Sequence, residues 1–167
     1  MATYTMGGRP ITVKEKEFQI GQRAPAFELI GNEFNKLTND LFYGKVIILS
    51  CIPSIDTPIC SMQTHRFHEE VAKLSKDIRV ITVSKDLPFA QSRWCAANGV
   101  DNVIMASDYR NFGFATDYGV LIEEMGLLAR AVFVLDKEGK IGYVQRVKEM
   151  AQEPDYASVL QAVNKLI

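Results

Sequence analysis

Three short apolar runs limit the possible folds of this chain more than any other feature: "KVIIL" (45–49), "IRVITV" (78–83) and "NVIMA" (102–106). Each is rich in β-branched residues and lacks the polar alternation of a half-exposed strand, so each is predicted to be a buried strand. The stretches between them are long enough for helices. Strands that alternate with helices indicate an α/β layered fold.

The predicted helices carry recognisable start or packing signals. The first begins after Thr57 and runs to about Leu74, with Phe67 and Val71 on its buried face. The second predicted helix, "LPFAQSRWCAANG" (87–99), has a proline in its first turn and an Asn-Gly stop. The third is the short "RNFGFATDYGV" (110–120), and the last is "PDYASVLQAVNKLI" (154–167), with Pro154 at its start.

Two hairpins are predicted to complete the sheet. "TYTM" and "ITVK" flank the turn "GGRP" near the amino terminus, and "RAVFVLDKEGKIGYVQRV" turns back at Asp136 to Gly139. "AFELI" and "KLTNDL" are predicted as a short strand and a loop. The prediction is one domain over residues 1–167: an α/β, thioredoxin-like fold with a central mixed sheet flanked by helices and an amino-terminal β-hairpin.

Composition narrows the class of partner. The chain is 47% hydrophobic and 23% charged with a formal net charge of −1, so no charge signature for nucleic acid or an anionic membrane is present. "MATYTMGGRP" does not resemble a signal peptide, and no apolar run approaches the ~20 residues of a membrane span. A soluble, cytoplasmic protein is expected. Its three cysteines are then core thiols, metal ligands or nucleophiles rather than a disulfide framework.

Cys60 follows a turn that starts a helix, "PSIDTPIC" (53–60). Thr57 is predicted as the N-cap whose side-chain oxygen accepts a backbone N–H, with Pro58 at the first helical position. Cys60 would then lie where first-turn N–H groups and the helix dipole favour an anion, which makes a thiol nucleophilic. The alternative is a core cysteine in line with Phe67 and Val71. Spacing alone leaves both interpretations open.

The other two cysteines are in less reactive positions. Cys51 ends the first buried run and is predicted to be an inert core residue. Cys95 lies inside a helix, far from its cap. Alone it suggests a structural role, but beside a reactive Cys60 it could be the second thiol of a disulfide.

Five segments, in order, resemble a known family. "PSIDTPIC" resembles the P-x-x-x-T-x-x-C active-site loop of the peroxiredoxins. Four others look like segments of the thiol peroxidase subfamily, the atypical two-cysteine type, and the likeness covers essentially the whole chain. They are "DLPFAQSRWC", "SDYRNFGF" with "YGV", "GLLARAVFVLD" and "EPDY". The sequence departs from the pattern at Pro58-Ile59, at Trp94 and in the additional Cys51.

The resemblance implies roles for five residues. Cys60 would be the peroxidatic cysteine, and Cys95 the resolving cysteine of the same chain. Pro53 and Thr57 would shape the pocket, and Arg130 would face the sulfur. The alternative for Arg130 is a solvent-exposed arginine on an edge strand.

The resemblance also implies a reaction. Hydrogen peroxide and organic or lipid hydroperoxides would be reduced through a Cys60 sulfenic acid and a Cys60–Cys95 disulfide, with thioredoxin as the reductant and no cofactor or metal. A homodimer is implied, with an interface near the pocket. "SDYRNFGF" is expected to contribute to that interface, with Arg110 bracing it, and the alternative is that this segment is an ordinary surface loop.

Four other functions are alternatives. A thiol–disulfide oxidoreductase requires a C-x-x-C pair, which the chain lacks. A metal-binding module would use Cys60, His65, His68 and Cys95, which do not follow a usual zinc spacing. A cysteine hydrolase would need a histidine base for Cys60. The fourth is a non-catalytic scaffold that keeps the fold.

Overall fold

Seven strands form the central sheet of the computed structural model, which describes residues 3–167. Two further pairs of strands form separate two-stranded sheets. In chain order all these strands are β1 (Tyr4–Met6), β2 (Arg9–Ile11), β3 (Glu28–Ile30), β4 (Lys36–Thr38), β5 (Val46–Cys51), β6 (Ile78–Ser84), β7 (Val103–Ser107), β8 (Leu121–Ile122), β9 (Leu127–Leu128), β10 (Ala131–Leu135) and β11 (Ile141–Arg146). The separate pairs are β1 with β2 and β8 with β9. The helices are α1 (Pro58–Ala72), α2 (Pro88–Asn98), α3 (Gly113–Asp117) and α4 (Tyr156–Asn164), with a 3-10 turn at Asn39–Phe42.

The sheet is mixed, as predicted. Its order is β11-β10-β5-β6-β7-β3-β4, with β5, β6 and β7 parallel in the centre and antiparallel partners on both sides. The three apolar runs of the sequence form this parallel centre. Every residue of β5 is buried, because helices cover one face and other segments cover the opposite face.

Alternate side chains of β5 enter two different apolar layers. Val46 and Ile48 pack in the layer that contains Phe67 of α1 and Val159 of α4. Ile47, Leu49 and Cys51 point the other way, into the layer that contains Phe114 of α3 and the rings around Tyr118. Because side chains alternate along a strand, one short run supplies both layers of the core.

The amino-terminal hairpin of β1 and β2 is confirmed, with a shorter turn than predicted. Gly7 and Gly8 alone form the turn, with φ of 58° and 82°, and Arg9 already belongs to the second strand. Two positive φ values are what a type I′ turn requires. The hairpin packs on the segment that follows β11, where Thr5 N donates to Lys148 O at 2.8 Å and Met150 N donates to Thr5 O at 2.9 Å.

Several helix boundaries differ from the prediction. Helix α1 ends at Ala72 rather than near Leu74. Helix α4 is capped by Asp155, whose carboxylate accepts from Ser158 N, so Pro154 precedes the helix instead of starting it. Gly99, with φ of 63°, ends α2 as the Asn-Gly signal predicts. The two-residue strands β8 and β9 were not predicted, because strands this short carry no period.

Candidate active site

The strand order brings Cys60 and Arg130 to one edge of the sheet. β5 leads through the turn at residues 52–57 into α1, where Cys60 lies in the first turn. Arg130 directly precedes β10, whose first residue, Ala131, pairs with Cys51 at the end of β5. Two residues far apart in sequence therefore meet where β5 ends and β10 begins.

The guanidinium of Arg130 is buried against the sulfur, with only 1% of the residue exposed. Its Nη2 lies 3.5 Å from Cys60 Sγ and donates to Met150 O at 2.6 Å. Its Nη1 donates to Gln63 Oε1 at 2.8 Å. Gln63 in turn donates to Ser50 Oγ at 2.7 Å, so the chain of contacts ends on β5. The alternative of a solvent-exposed Arg130 is wrong.

Arg130 carries a buried charge with no carboxylate partner among residues 3–167, where its Nε also lacks a hydrogen bond. Burying an unpaired charge costs several kcal/mol. A thiolate on Cys60 would place a negative charge beside this guanidinium and offset that cost. Among residues 3–167, Cys60 is therefore the hydrogen-bonding partner of this guanidinium that could carry a compensating negative charge.

Thr57 occupies the N-cap position of α1, but the predicted capping bond is wrong. Its hydroxyl donates to Ser54 O at 2.8 Å, and its side chain accepts no backbone N–H. The turn brings the Ser54 carbonyl within reach, so the hydroxyl satisfies that acceptor instead. Pro53, in the same turn, is buried, and Pro58 takes the first helical position as predicted.

Cys60 and Cys95 are free thiols on adjacent helices. Cys60 is fully buried and Cys95 half-buried, and burial raises the pKa of the Cys95 thiol. The residues beside them touch: Trp94 Nε1 donates to Ser61 Oγ at 3.1 Å. Helices α1 and α2 are therefore joined directly next to both sulfurs.

Cys51 lies in the core, as predicted. Cys51 is fully buried, with 0% of the residue accessible to solvent. Desolvation raises the pKa of its thiol far above the ordinary value. A thiol of this kind stays protonated and unreactive at neutral pH.

The histidines are engaged elsewhere. His65 Nε2 lies 3.0 Å from Asn98 Oδ1, and His68 Nδ1 accepts from Asn102 N at 3.4 Å. Neither orients toward Cys60 as a hydrolase base would. Within the described chain, no three His, Cys, Asp or Glu side chains are placed to hold a metal ion.

Among residues 3–167, none of the helices has both the length and the apolar composition that a membrane-spanning helix needs.

The "SDYRNFGF" segment is held by a nearly buried ion pair. Lys85 Nζ lies 3.6 Å from Asp108 Oδ2 and also donates to the Asn111 carbonyl. Burial raises the pKa of Asp108 to about 6 despite this partner. Arg110 is exposed, and the neighbouring Tyr109 is the partner of both its hydrogen bond and its cation–π contact.

Sequence reasoning missed two residues that hold Arg130. Gln63 lies one turn after Cys60, and a glutamine on the buried face of the helix, in line with Phe67 and Val71, was the available signal. Met150 contributes its carbonyl and accepts from Arg130 N through Sδ at 3.2 Å. No pattern in the sequence links Met150 to Arg130, because only the packing of the segment after β11 joins them.

Comparison with known proteins identifies the family. The Redoxin family model matches residues 19–160. A thiol peroxidase of Oceanobacillus iheyensis is 46% identical over 99% of this chain and 100% of the relative. A thiol peroxidase of Bacillus subtilis is 46% identical over 100% and 99% of the two chains. The chain therefore belongs to the Redoxin family, and its full-length relatives place it in the thiol peroxidase subfamily of the peroxiredoxins.

Solved structures agree with the fold. A peroxiredoxin-like protein from Aquifex aeolicus superposes with a TM-score of 0.89 at 40% identity, covering 99% of this chain and 97% of that one. A thiol peroxidase from Chromobacterium violaceum gives a TM-score of 0.88 at 18% identity, over 98% and 95% of the chains, and supports the fold alone. The predicted thioredoxin-like, peroxiredoxin-type architecture is confirmed.

Proposed function

We propose that this chain is a thiol-dependent peroxidase in which Cys60 attacks a hydroperoxide. The observation that carries the proposal is the buried Arg130 guanidinium, 3.5 Å from Cys60 Sγ and without a carboxylate partner in residues 3–167. An arginine buried in this way stabilises a thiolate and can also donate to a peroxide oxygen.

The first step oxidises the sulfur. The Cys60 thiolate forms a bond to one peroxide oxygen, the O–O bond breaks, and the other oxygen leaves with a proton as an alcohol or water. The product is a sulfenic acid on Cys60. Because Cys60 is fully buried in this conformation, the turn at residues 52–57 or the first turn of α1 must move to admit the substrate.

The second step closes a disulfide. The Cys95 thiolate attacks the sulfenic sulfur of Cys60, the S–O bond breaks, and the oxygen leaves with two protons as water. The product is a disulfide between Cys60 and Cys95. A dithiol protein then reduces this bond, taking up its oxidising equivalents and returning both cysteines to thiols. Disulfide geometry requires Cα atoms within about 7 Å, and the Trp94–Ser61 hydrogen bond links the two helices that carry the cysteines.

Activation of the thiol cannot supply most of the rate. For a thiol in general, lowering the pKa from ~8.5 to ~6 raises the thiolate fraction at pH 7 about 30-fold. Nucleophilicity falls about 13-fold over the same range, so the net gain is roughly twofold. Donors that meet the charge developing on the leaving oxygen must provide the rest. Arg130 and the first-turn N–H groups of α1 are proposed as those donors. The Thr57 hydroxyl would join them by turning its one proton from the Ser54 carbonyl to the peroxide oxygen.

Arg130→Lys is expected to slow the oxidation of Cys60 tenfold or more, about 1.4 kcal/mol. Lysine keeps the charge but loses the planar fork that contacts Gln63, Met150 and the sulfur together. Stopped-flow measurement of the first oxidation gives the rate. The control is Arg146→Lys, since that arginine donates to the carbonyls of Gly119 and Lys16 instead. An Arg130→Lys rate equal to the wild-type rate would exclude Arg130 from the transition state.

Thr57→Val is also expected to slow Cys60 oxidation tenfold or more, about 1.4 kcal/mol. Valine keeps the shape but removes the hydroxyl. The melting temperature should change little, because Thr57 is exposed and its one side-chain hydrogen bond is to Ser54 O. Thr38→Val is the control, with a hydroxyl that instead donates to Asp40. Normal oxidation of Thr57→Val would remove the hydroxyl from the mechanism.

The partners and location follow as part of the proposal. Hydrogen peroxide and organic or lipid hydroperoxides are the proposed substrates, thioredoxin the reductant, a homodimer the assembly and the cytoplasm the location. Three free cysteines suit a reducing compartment. A peroxidase assay coupled to thioredoxin, with hydrogen peroxide and cumene hydroperoxide, tests substrate and reductant together. Absence of peroxide consumption by the reduced protein would refute the proposed function.

A further inference from the structure

We infer that Asp86 is a positioning residue of the peroxidatic site, in that its carboxylate fixes the loop that presents Thr57 and the first turn of α1. The inference rests on the proposed function, because it concerns how the same site is held in shape. Asp86 lies in the turn between β6 and α2, outside the loop that carries the cysteine motif.

Three donors converge on this carboxylate. Ser54 Oγ donates to Oδ1 at 2.7 Å, and Ile55 N donates to Oδ2 at 2.7 Å. Ser84 Oγ donates to Oδ2 at 2.6 Å. Hydrogen bonds to an ionised carboxylate are short and roughly twice as strong as neutral ones. Two of the three come from the middle of the "PSIDTPIC" loop, so Asp86 ties that loop to the end of β6.

The contacts continue from Ser54 to the site. Asp86 holds the side chain of Ser54, and the carbonyl of Ser54 accepts from the Thr57 hydroxyl at 2.8 Å. The backbone of the same turn is closed by Thr57 N, which donates to Ser54 O at 3.2 Å. Displacement of Ser54 would therefore shift both the hydroxyl and the amide of the N-cap residue, one turn before Cys60.

Asp86 is itself fixed from the far side. Ser107 at the end of β7 donates through its hydroxyl to the Asp86 carbonyl. Ser84 also accepts from Gln91 Nε2 of α2 at 3.1 Å. β6 thus holds the Asp86 carboxylate through Ser84, and β7 holds the Asp86 backbone through Ser107. Helix α2, which carries Cys95, supports the carboxylate indirectly through Gln91 and Ser84. A rigid base of this kind is what a positioning residue needs, because errors of about 1 Å in reacting groups cost orders of magnitude in rate.

Asp86→Ala is the decisive variant, and two reactions of Cys60 are compared. Alkylation by iodoacetamide needs the thiolate but no peroxide donors, whereas oxidation by hydrogen peroxide needs both. We expect Asp86→Ala to oxidise tenfold or more slowly while its alkylation changes less than threefold. Asp86→Asn, which retains one acceptor oxygen, should lose less, and Ser54→Ala should lose less than Asp86→Ala.

Asp155→Asn is the matched control. Its carboxylate also accepts from a backbone N–H and a serine hydroxyl, both of Ser158, but it caps α4 rather than the loop. Both reactions of Asp155→Asn should match the wild type, even if its melting temperature falls as far as that of Asp86→Ala. Equal loss of oxidation in the two variants would assign the effect to stability and overturn the inference.

Hydrogen exchange separates this inference from the proposed function. The Ile55 amide should be protected in the wild type and exchange at least tenfold faster in Asp86→Ala, whatever the activity. If the wild type consumes no peroxide, the proposed function fails, and exchange still decides whether Asp86 orders the loop. Unchanged exchange at Ile55, wild-type oxidation by Asp86→Ala, faster oxidation, or an equal fall in alkylation would each overturn the positioning role.

Discussion

Cys60→Ser is expected to reduce peroxidase turnover by at least about 10³-fold, equivalent to roughly 4 kcal/mol of transition-state stabilisation. A serine hydroxyl is not ionised at neutral pH and cannot form a sulfenic acid. The remaining thiols do not substitute: burial raises the pKa of both Cys51 and Cys95, and neither hydrogen-bonds to Arg130 in the described structure. Thioredoxin-coupled consumption of hydrogen peroxide measures the loss.

The matched control is Cys51→Ala. Cys51 is equally buried and lies at the end of β5, but it faces the opposite apolar layer from Cys60. We expect that variant to keep wild-type turnover, with at most a small loss of stability from the shorter side chain. Turnover that survives Cys60→Ser and disappears in Cys51→Ala would transfer the peroxidatic role to Cys51.

Cys95→Ser should consume about one peroxide per subunit and then stop when thioredoxin is the donor. The first oxidation should keep its wild-type rate, because Cys95 lies on α2 and is not among the groups of residues 3–167 that hydrogen-bond to Cys60 Sγ or Arg130. The stranded sulfenic acid should advance to sulfinic acid more readily under excess peroxide. Single-turnover kinetics and intact-mass analysis distinguish the two steps.

The wild type and Cys51→Ala are the references for that variant. Both should turn over repeatedly and give a faster-migrating monomer on a non-reducing denaturing gel, whereas oxidised Cys95→Ser should migrate as the reduced chain. Undiminished thioredoxin-dependent turnover of Cys95→Ser would remove Cys95 from the mechanism.

The sheet was predictable because its central strands are continuous apolar runs. The runs at 45–49, 78–83 and 102–106 had to be buried on both faces, and burial on both faces implies parallel strands between helices. Start and stop residues such as Pro88 and Gly99 then gave helix positions to within a few residues. The shortest elements, β8 and β9, escaped because two residues define no period.

Only part of the candidate active site could be predicted from the sequence. The helix-start position of Cys60 follows from local signals, since Pro58 and the preceding turn lie within a few residues of it. The groups around Arg130 depend on contacts across the sheet. Gln63, Met150 and Asp86 are separated from their partners by long stretches of chain, and only the packed fold brings each one to its acceptor or donor.

Thr57 shows how a local rule can place a residue correctly and still assign the wrong bond. Propensity put it at the N-cap, where its backbone conformation is extended, with φ of −104° and ψ of 150°. The Ser54 carbonyl in the turn competes for the hydroxyl, and its own position depends on the distant Asp86. The direction of a hydroxyl is set by such competition rather than by residue type.

Peptide mapping after oxidation with one equivalent of hydrogen peroxide shows directly which two cysteines form the disulfide. The reduced wild type is treated, quenched by alkylation and digested without reduction, and cross-linked peptides are identified by mass spectrometry. We predict a Cys60–Cys95 disulfide within one chain, with Cys51 recovered as an unoxidised thiol. A Cys51–Cys60 bridge, or a covalent dimer joined through Cys95, would contradict it.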